Sequence, residues 1–133
     1  METISGQKGG AVMENKILDD VKVGIGLMPE YTAFDEILTI HINTVFAILT
    51  QLGVGPSGGF RLSTGSETWS EYLPDGFENF ESVKSYICLK VRLLFDPPAS
   101  STHMNAINEA VKELEWRLNF EAESQSKCFQ ERR

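Results

Sequence analysis

Residues 91–118 read VRLLFDPPASSTHMNAINEAVKELEWRL: one apolar-faced segment, an abrupt stop, and a second apolar-faced segment. Pro97 and Pro98 remove two backbone donors, and each ring fixes φ at about −65°. Pro97 also drives the residue before it, Asp96, away from helical backbone, so a helix must end there. Ser100 and Ser101 then offer hydroxyls that can cap a following helix. Met104, Ile107, Val111, Leu114 and Leu118 recur at alternating spacings of three and four, a narrow seam down one helical face. Glu109, Lys112, Glu113, Glu115 and Arg117 make the opposite face charged. Asp96, Pro97 and Pro98 are therefore the structural corner of a stiff helical hairpin.

Upstream of the corner, Phe80, Val83, Ile87, Val91 and Leu94 predict a helix over residues 78–95. Tyr86, Leu89, Leu93 and Phe95 widen its apolar face until little polar surface remains, so protein must surround it, with a neighbouring subunit one source of that cover. TWSEYLPDGF, residues 68–77, predicts one short helical turn and then a Pro-Asp-Gly turn. Residues 54–68 hold four glycines and a proline, which excludes a helix. Long connectors of this kind are usually functional or mobile. Within it GFRL reads as a short strand or an extended contact, which makes Phe60 and Arg61 candidate loop contacts. Further back, Phe34, Ile37, Leu38, Ile42, Val45, Leu49 and Leu52 form one broad helical face. Thr32 is its expected N-cap and Gly53 its left-handed C-cap. Ile17, Leu18, Val21 and Ile25 predict a short first helix, weakened at Gly24 and Gly26 and stopped before Pro29.

A chain of 133 residues suits one domain with a modest core. The expected fold class is mainly α: a small bundle of about four helices with a long Gly-rich loop, room for a short β-hairpin or strand, and extended termini. Residues 1–12 are expected to be an irregular arm or an extension, since Met13 opens a segment that reads as a natural start. Residues 13–120 form the helical domain, and residues 121–133 a polar tail ordered by docking. The net charge of −7 belongs to the body, because charges cancel before Met13 and from Glu121 onward. Such a body repels phosphate and argues against tight nucleic-acid binding, though not against a surface past which DNA slides. No apolar run reaches the roughly 18–20 residues needed to span a bilayer. Cys88 reads as a buried thiol and Cys128 as a tail residue, with no metal spacing around either, which suggests a reducing compartment.

The sequence yields no catalytic, cofactor-binding or metal site. His41 and His103 lack ligand or triad partners, and GVGPSGG lacks the lysine of a phosphate loop. Aromatic residues say more, because aromatic anchors dominate contact surfaces. Core packing is the ordinary role of each, but Trp116 stands about 160° from the Leu114–Leu118 seam by helical geometry. It must pack beneath another segment or against another chain.

YICLKVRLLFDPPASSTHMNAINEAVKELEWRLN (residues 86–119) resembles the small head–tail connector, or adaptor, proteins of tailed bacteriophages. FDEILTIHINTVFAILTQLGVGP (residues 34–56) is similar to their long second helix and following loop, and YLPDG (residues 72–76) continues in the same order. The resemblance spans about residues 17–119 and rests on apolar pattern and a few signatures. It implies a structural virion protein and not an enzyme, made in the host cytoplasm and sited in the neck between capsid and tail. Such proteins form a ring, usually dodecameric, under the portal protein. They extend the DNA channel and give the stopper or tail-terminator protein its platform. On that reading Trp69, Tyr72, Tyr86, Phe95 and Trp116 are the expected subunit-interface residues. Phe120, Phe129, Arg132 and Arg133 are the expected contacts to the portal or a neighbouring ring, and the loop is expected to reach freely outward. From the residues alone, a helical regulatory or protein-binding module competes with this reading. A small nuclease or hydrolase would need clustered carboxylates or histidines that the sequence does not supply.

Overall fold

In the computed structural model, residues 13–131 are described, with side chains as far as residue 124. Among them five helices follow in order: α1 (Ile17–Gly24), α2 (Asp35–Leu52), α3 (Trp69–Tyr72), α4 (Phe80–Phe95) and α5 (Ser101–Glu131). The fold is a small helical bundle, as the apolar periodicity requires. Helix α4 is its centre, packing against α1, α2 and α5. Val83, Tyr86, Ile87 and Val91 have no exposed surface. Its nearly all-round apolar character is thus largely met within the same chain.

The corner forms as proline chemistry dictates. Asp96 leaves helical backbone at φ −148°, ψ 71°, while its N–H still donates to the Arg92 carbonyl at 2.8 Å. Ser100 Oγ accepts the His103 N–H at 3.2 Å, satisfying one orphan donor of α5. Ile107, Val111 and Leu118 are buried, with Leu114 packed at the edge of the same core. Helix α5 runs on to Glu131, past the end expected near residue 120. Residues 119–131 contain neither glycine nor proline, so nothing interrupts the hydrogen-bond ladder where the apolar seam fades.

Helix α2 ends where Gly53 turns left-handed, at φ 93°. The Gly53 N–H donates to Thr50 and the Val54 N–H to Leu49, a Schellman closure. A Cβ on Gly53 would sit 2.8 Å from the Ala122 Cβ, so glycine also lets α5 approach this corner. Asn119 Nδ2 then donates to the Leu52 carbonyl, tying the two helices together. The start of α2 differs from expectation. Thr32 is not the cap: Phe34 precedes the first turn and no side chain caps it. The chain instead winds from Met28 through two backbone turns, with Thr32 offering only its carbonyl to the Asp35 N–H.

Lys22 explains that arrangement. Its side chain is 1% exposed, yet Nζ donates to the Pro29 carbonyl at 2.8 Å and lies 2.8 Å from Asp35 Oδ1. The ammonium thus staples α1, the following turn and the head of α2.

No strand forms among the described residues. The loop after α2 is extended but pinned to the bundle, and it is not free to reach outward. Asn43 on α2 accepts the Leu62 N–H at 2.7 Å and donates to the Leu62 carbonyl at 3.2 Å, taking the place of a partner strand. Leu62 itself is buried. Farther on, Glu67 accepts the N–H groups of Ser63, Thr64 and Gly65, and a single antiparallel bridge joins Lys16 to Thr68.

Candidate assembly interface

Three of the five residues expected at a subunit interface belong to the subunit's own core. Trp69 is fully buried, and its indole N–H donates to Asp20 Oδ2 at 2.8 Å. Tyr72 lies against Phe46 and Phe60, its buried hydroxyl without a hydrogen-bond partner. Tyr86 donates to Glu115 Oε2 at 2.7 Å, joining α4 to α5. With 3% exposure or less, none of these offers a surface to a neighbour in the folded single copy. Phe95 is half-buried, edge-on to Phe34 at 5.1 Å.

Trp116 has a different environment. It is 66% exposed and stacks on Phe120, itself 55% exposed, with ring centroids 5.3 Å apart and planes 7° from parallel. No other segment covers the pair within the described residues. Two aromatic rings, each worth roughly 150–250 Å² when covered, thus face outward on α5. Phe120, expected to contact the portal or a neighbouring ring, shares one exposed strip with Trp116. The Phe129 side chain lies outside the described residues, as do Arg132 and Arg133.

A second apolar surface surrounds Phe95, the one part of it that the sequence marks as an interface. Tyr31, Phe34 and Phe95 form a chain of edge-on rings beside exposed Met28, Ile37 and Leu94. The signal was present in Tyr31 and Phe34, three residues apart just after Pro29. Phe34 and Ile37, expected on the buried face of α2, are exposed, and that face belongs to Leu38, Ile42, Val45, Phe46 and Leu49. Farther along the outer side of α2, Ile40 is exposed too, and no charge follows Glu36 before the helix ends.

The two loop candidates divide. Phe60 turns inward against Phe46 and Tyr72, whereas Arg61 stays exposed. Between the loop and α2 lies an open groove of about 690 Å³, lined by Asn43, Ala47, Thr50, Gln51, Gly58, Gly59, Phe60 and Arg61. Arg61 is its single charged group, and no ion pair engages it among the described residues.

Elsewhere the charges have structural work. Glu115, expected on the solvent face, is half-buried between the Tyr86 hydroxyl and Lys90, 3.9 Å away. Burial, then the hydrogen bond and negative charge of Glu115, raise the Tyr86 pKa well above the phenol range. Burial likewise raises the Cys88 thiol, with Lys84 pulling it down and Asp20 pushing it up, which leaves little thiolate at neutral pH. His41 is half-buried edge-on to Phe95, and His103 is exposed. Among the described residues no three His, Cys, Asp or Glu are grouped to hold a metal ion, and no helix is long and apolar enough to cross a membrane.

These surfaces suit contact more than chemistry. Searches of curated proteins and of solved structures gave no match. The phage connector protein family, by contrast, matches residues 17–125, which takes in α1 to α4, most of α5 and both aromatic surfaces. On that match the chain belongs to the phage connector protein family, structural proteins of the head–tail connection in virions.

Proposed function

We propose that copies of this chain close into a ring beneath the portal, extend the DNA channel, and give the stopper or tail-terminator protein its platform. The observation that carries the reading is the Trp116–Phe120 stack, left open on the outer face of α5. A subunit that exposes one apolar strip on α5 and an uncharged face on α2 is built for a heterologous contact, in which unlike surfaces of successive copies meet. Rotation closes such a contact into a ring. A dodecamer is the expected closure, from the family resemblance. The C-terminal tail of the sequence, with Phe129, Arg132 and Arg133, meets the portal in this proposal. The Tyr31–Phe34–Phe95 surface is left for the protein on the other side. The net charge of −7 supports passage of DNA with little adhesion.

Native mass measurement, on the protein alone and mixed with the portal protein of the same phage, tests the reading. Closed oligomers, or a stoichiometric ring on the portal, are expected. A single copy that stays monomeric at every concentration and ignores the portal would overturn it.

A further inference from the structure

The strip on α5 and the groove on α2 have complementary chemistry. Trp116, Phe120 and Glu123 fall at i, i+4 and i+7, one stripe about 10 Å long. Glu123 is exposed, with no ion-pair partner among the described residues. The groove offers uncharged walls, small residues at Ala47, Gly58 and Gly59 that leave room, and Arg61 at its edge. Its volume lies within the roughly 300–1,000 Å³ typical of sites that take a group of this size. A chain cannot fill its own groove with its own strip, because the strip points away from the seam that holds α5 to the body.

We propose that the groove between α2 and residues 58–61 seats the Trp116–Phe120 pair of a second copy, with Arg61 of one copy meeting Glu123 of the next. The occupant must bring aromatic rings and a carboxylate at helical spacing, and this chain carries such a stripe. Nucleic acid is a poor occupant, since a lone cation in an acidic body cannot offset phosphate repulsion. At their present exposure the two rings would contribute about 250 Å². That is the anchor of an interface of about 800 Å² per partner and not its whole extent. The assignment rests on the ring reading above and specifies which surfaces meet.

The test uses the full chain in sedimentation over a concentration series, with Arg61→Glu, Glu123→Arg and the double exchange. Both side chains are exposed, so thermal unfolding should match the wild type. Each single reversal is expected to weaken self-association about tenfold or more, since like charges would then face each other, and the double exchange should recover most of it. Ala47→Asp, which puts a charge on the groove wall, should abolish association. If the wild type associates while the reversals leave it unchanged, or if the double exchange recovers nothing, the groove assignment is overturned and the ring stands. If the wild type never associates, alone or beside the portal, both fall.

Discussion

The two tryptophans should respond to truncation in opposite ways. Trp69 has no exposed surface, so Trp69→Ala removes a whole buried indole and leaves a cavity ringed by Phe80 and its neighbours. Truncations of that kind cost about 3–5 kcal/mol. The lost indole hydrogen bond adds little, because Asp20 keeps Lys84 at 3.5 Å and is partly open to water. For a domain whose whole stability is roughly 5–15 kcal/mol, the loss is about a fifth or more, and the melting temperature should fall by about 10–20 °C. Trp116→Ala removes only the stack on Phe120 from the single copy, so the folded monomer should change by less than about 0.5 kcal/mol. Alanine also favours helix more than tryptophan does, which offsets part of even that. The assay is urea unfolding at a protein concentration low enough to hold single copies. Because the chain has two tryptophans, each variant leaves one fluorophore. Emission from Trp116→Ala should be blue-shifted and report Trp69 alone, while self-association measured separately should drop. A loss of 2 kcal/mol or more in the Trp116→Ala monomer, or an unperturbed Trp69→Ala fold, would refute this division of roles.

Asp35→Ala strands a buried ammonium on one carbonyl. Asp35 is about a third exposed and water can enter, so the cost should be nearer 1–3 kcal/mol than the full value of a sealed pair. Lys22→Met should restore much of the loss in the Asp35→Ala background, as denaturant titration of the four chains would reveal. Partial burial of Glu67 pushes its pKa up, but the backbone N–H groups of Ser63, Thr64, Gly65 and its own residue outweigh that and hold it below the ordinary carboxylate value. A depressed folded-state pKa stabilises the fold above the unfolded value and ceases to do so as pH falls through the folded one. Wild type should therefore exceed Glu67→Gln at neutral pH, with the gap closing below about pH 4.5 as carboxylates protonate; a gap independent of pH would contradict the assignment. Ser100→Ala should cost about 1 kcal/mol by removing the α5 cap, measurable by thermal unfolding.

The hairpin was legible because its determinants are local: two prolines, the residue before them, and a serine three positions ahead of the N–H it receives. Seams on α2 and α5 were legible as periodicity. What escaped were pairings between distant positions. Nothing near Lys22 in the chain marks it as buried, since Asp35 lies on another helix. Asn43 takes the place of a strand for a loop nineteen residues later, so a glycine-rich run expected to roam is held fast. Trp69 and Tyr72 sit in a helix of four residues, too short for a period to tell inside from outside. Trp116 was distinguishable for the opposite reason: a long helix and a regular seam fix the direction of every other residue on it. The end of α5 is hidden in the sequence because its apolar seam fades near residue 120 while no glycine or proline follows before Glu131.

Cryo-electron microscopy of the purified phage particle, with mass spectrometry of the same sample, tests most directly whether this chain joins by self-assembly. The expected map has a symmetric collar between capsid and tail, each repeat accepting the α4–α5 hairpin, with the outer face of α5 covered by the next repeat. Particles lacking a collar built from this chain, or a collar in which Trp116 and Phe120 face open solvent, would contradict it.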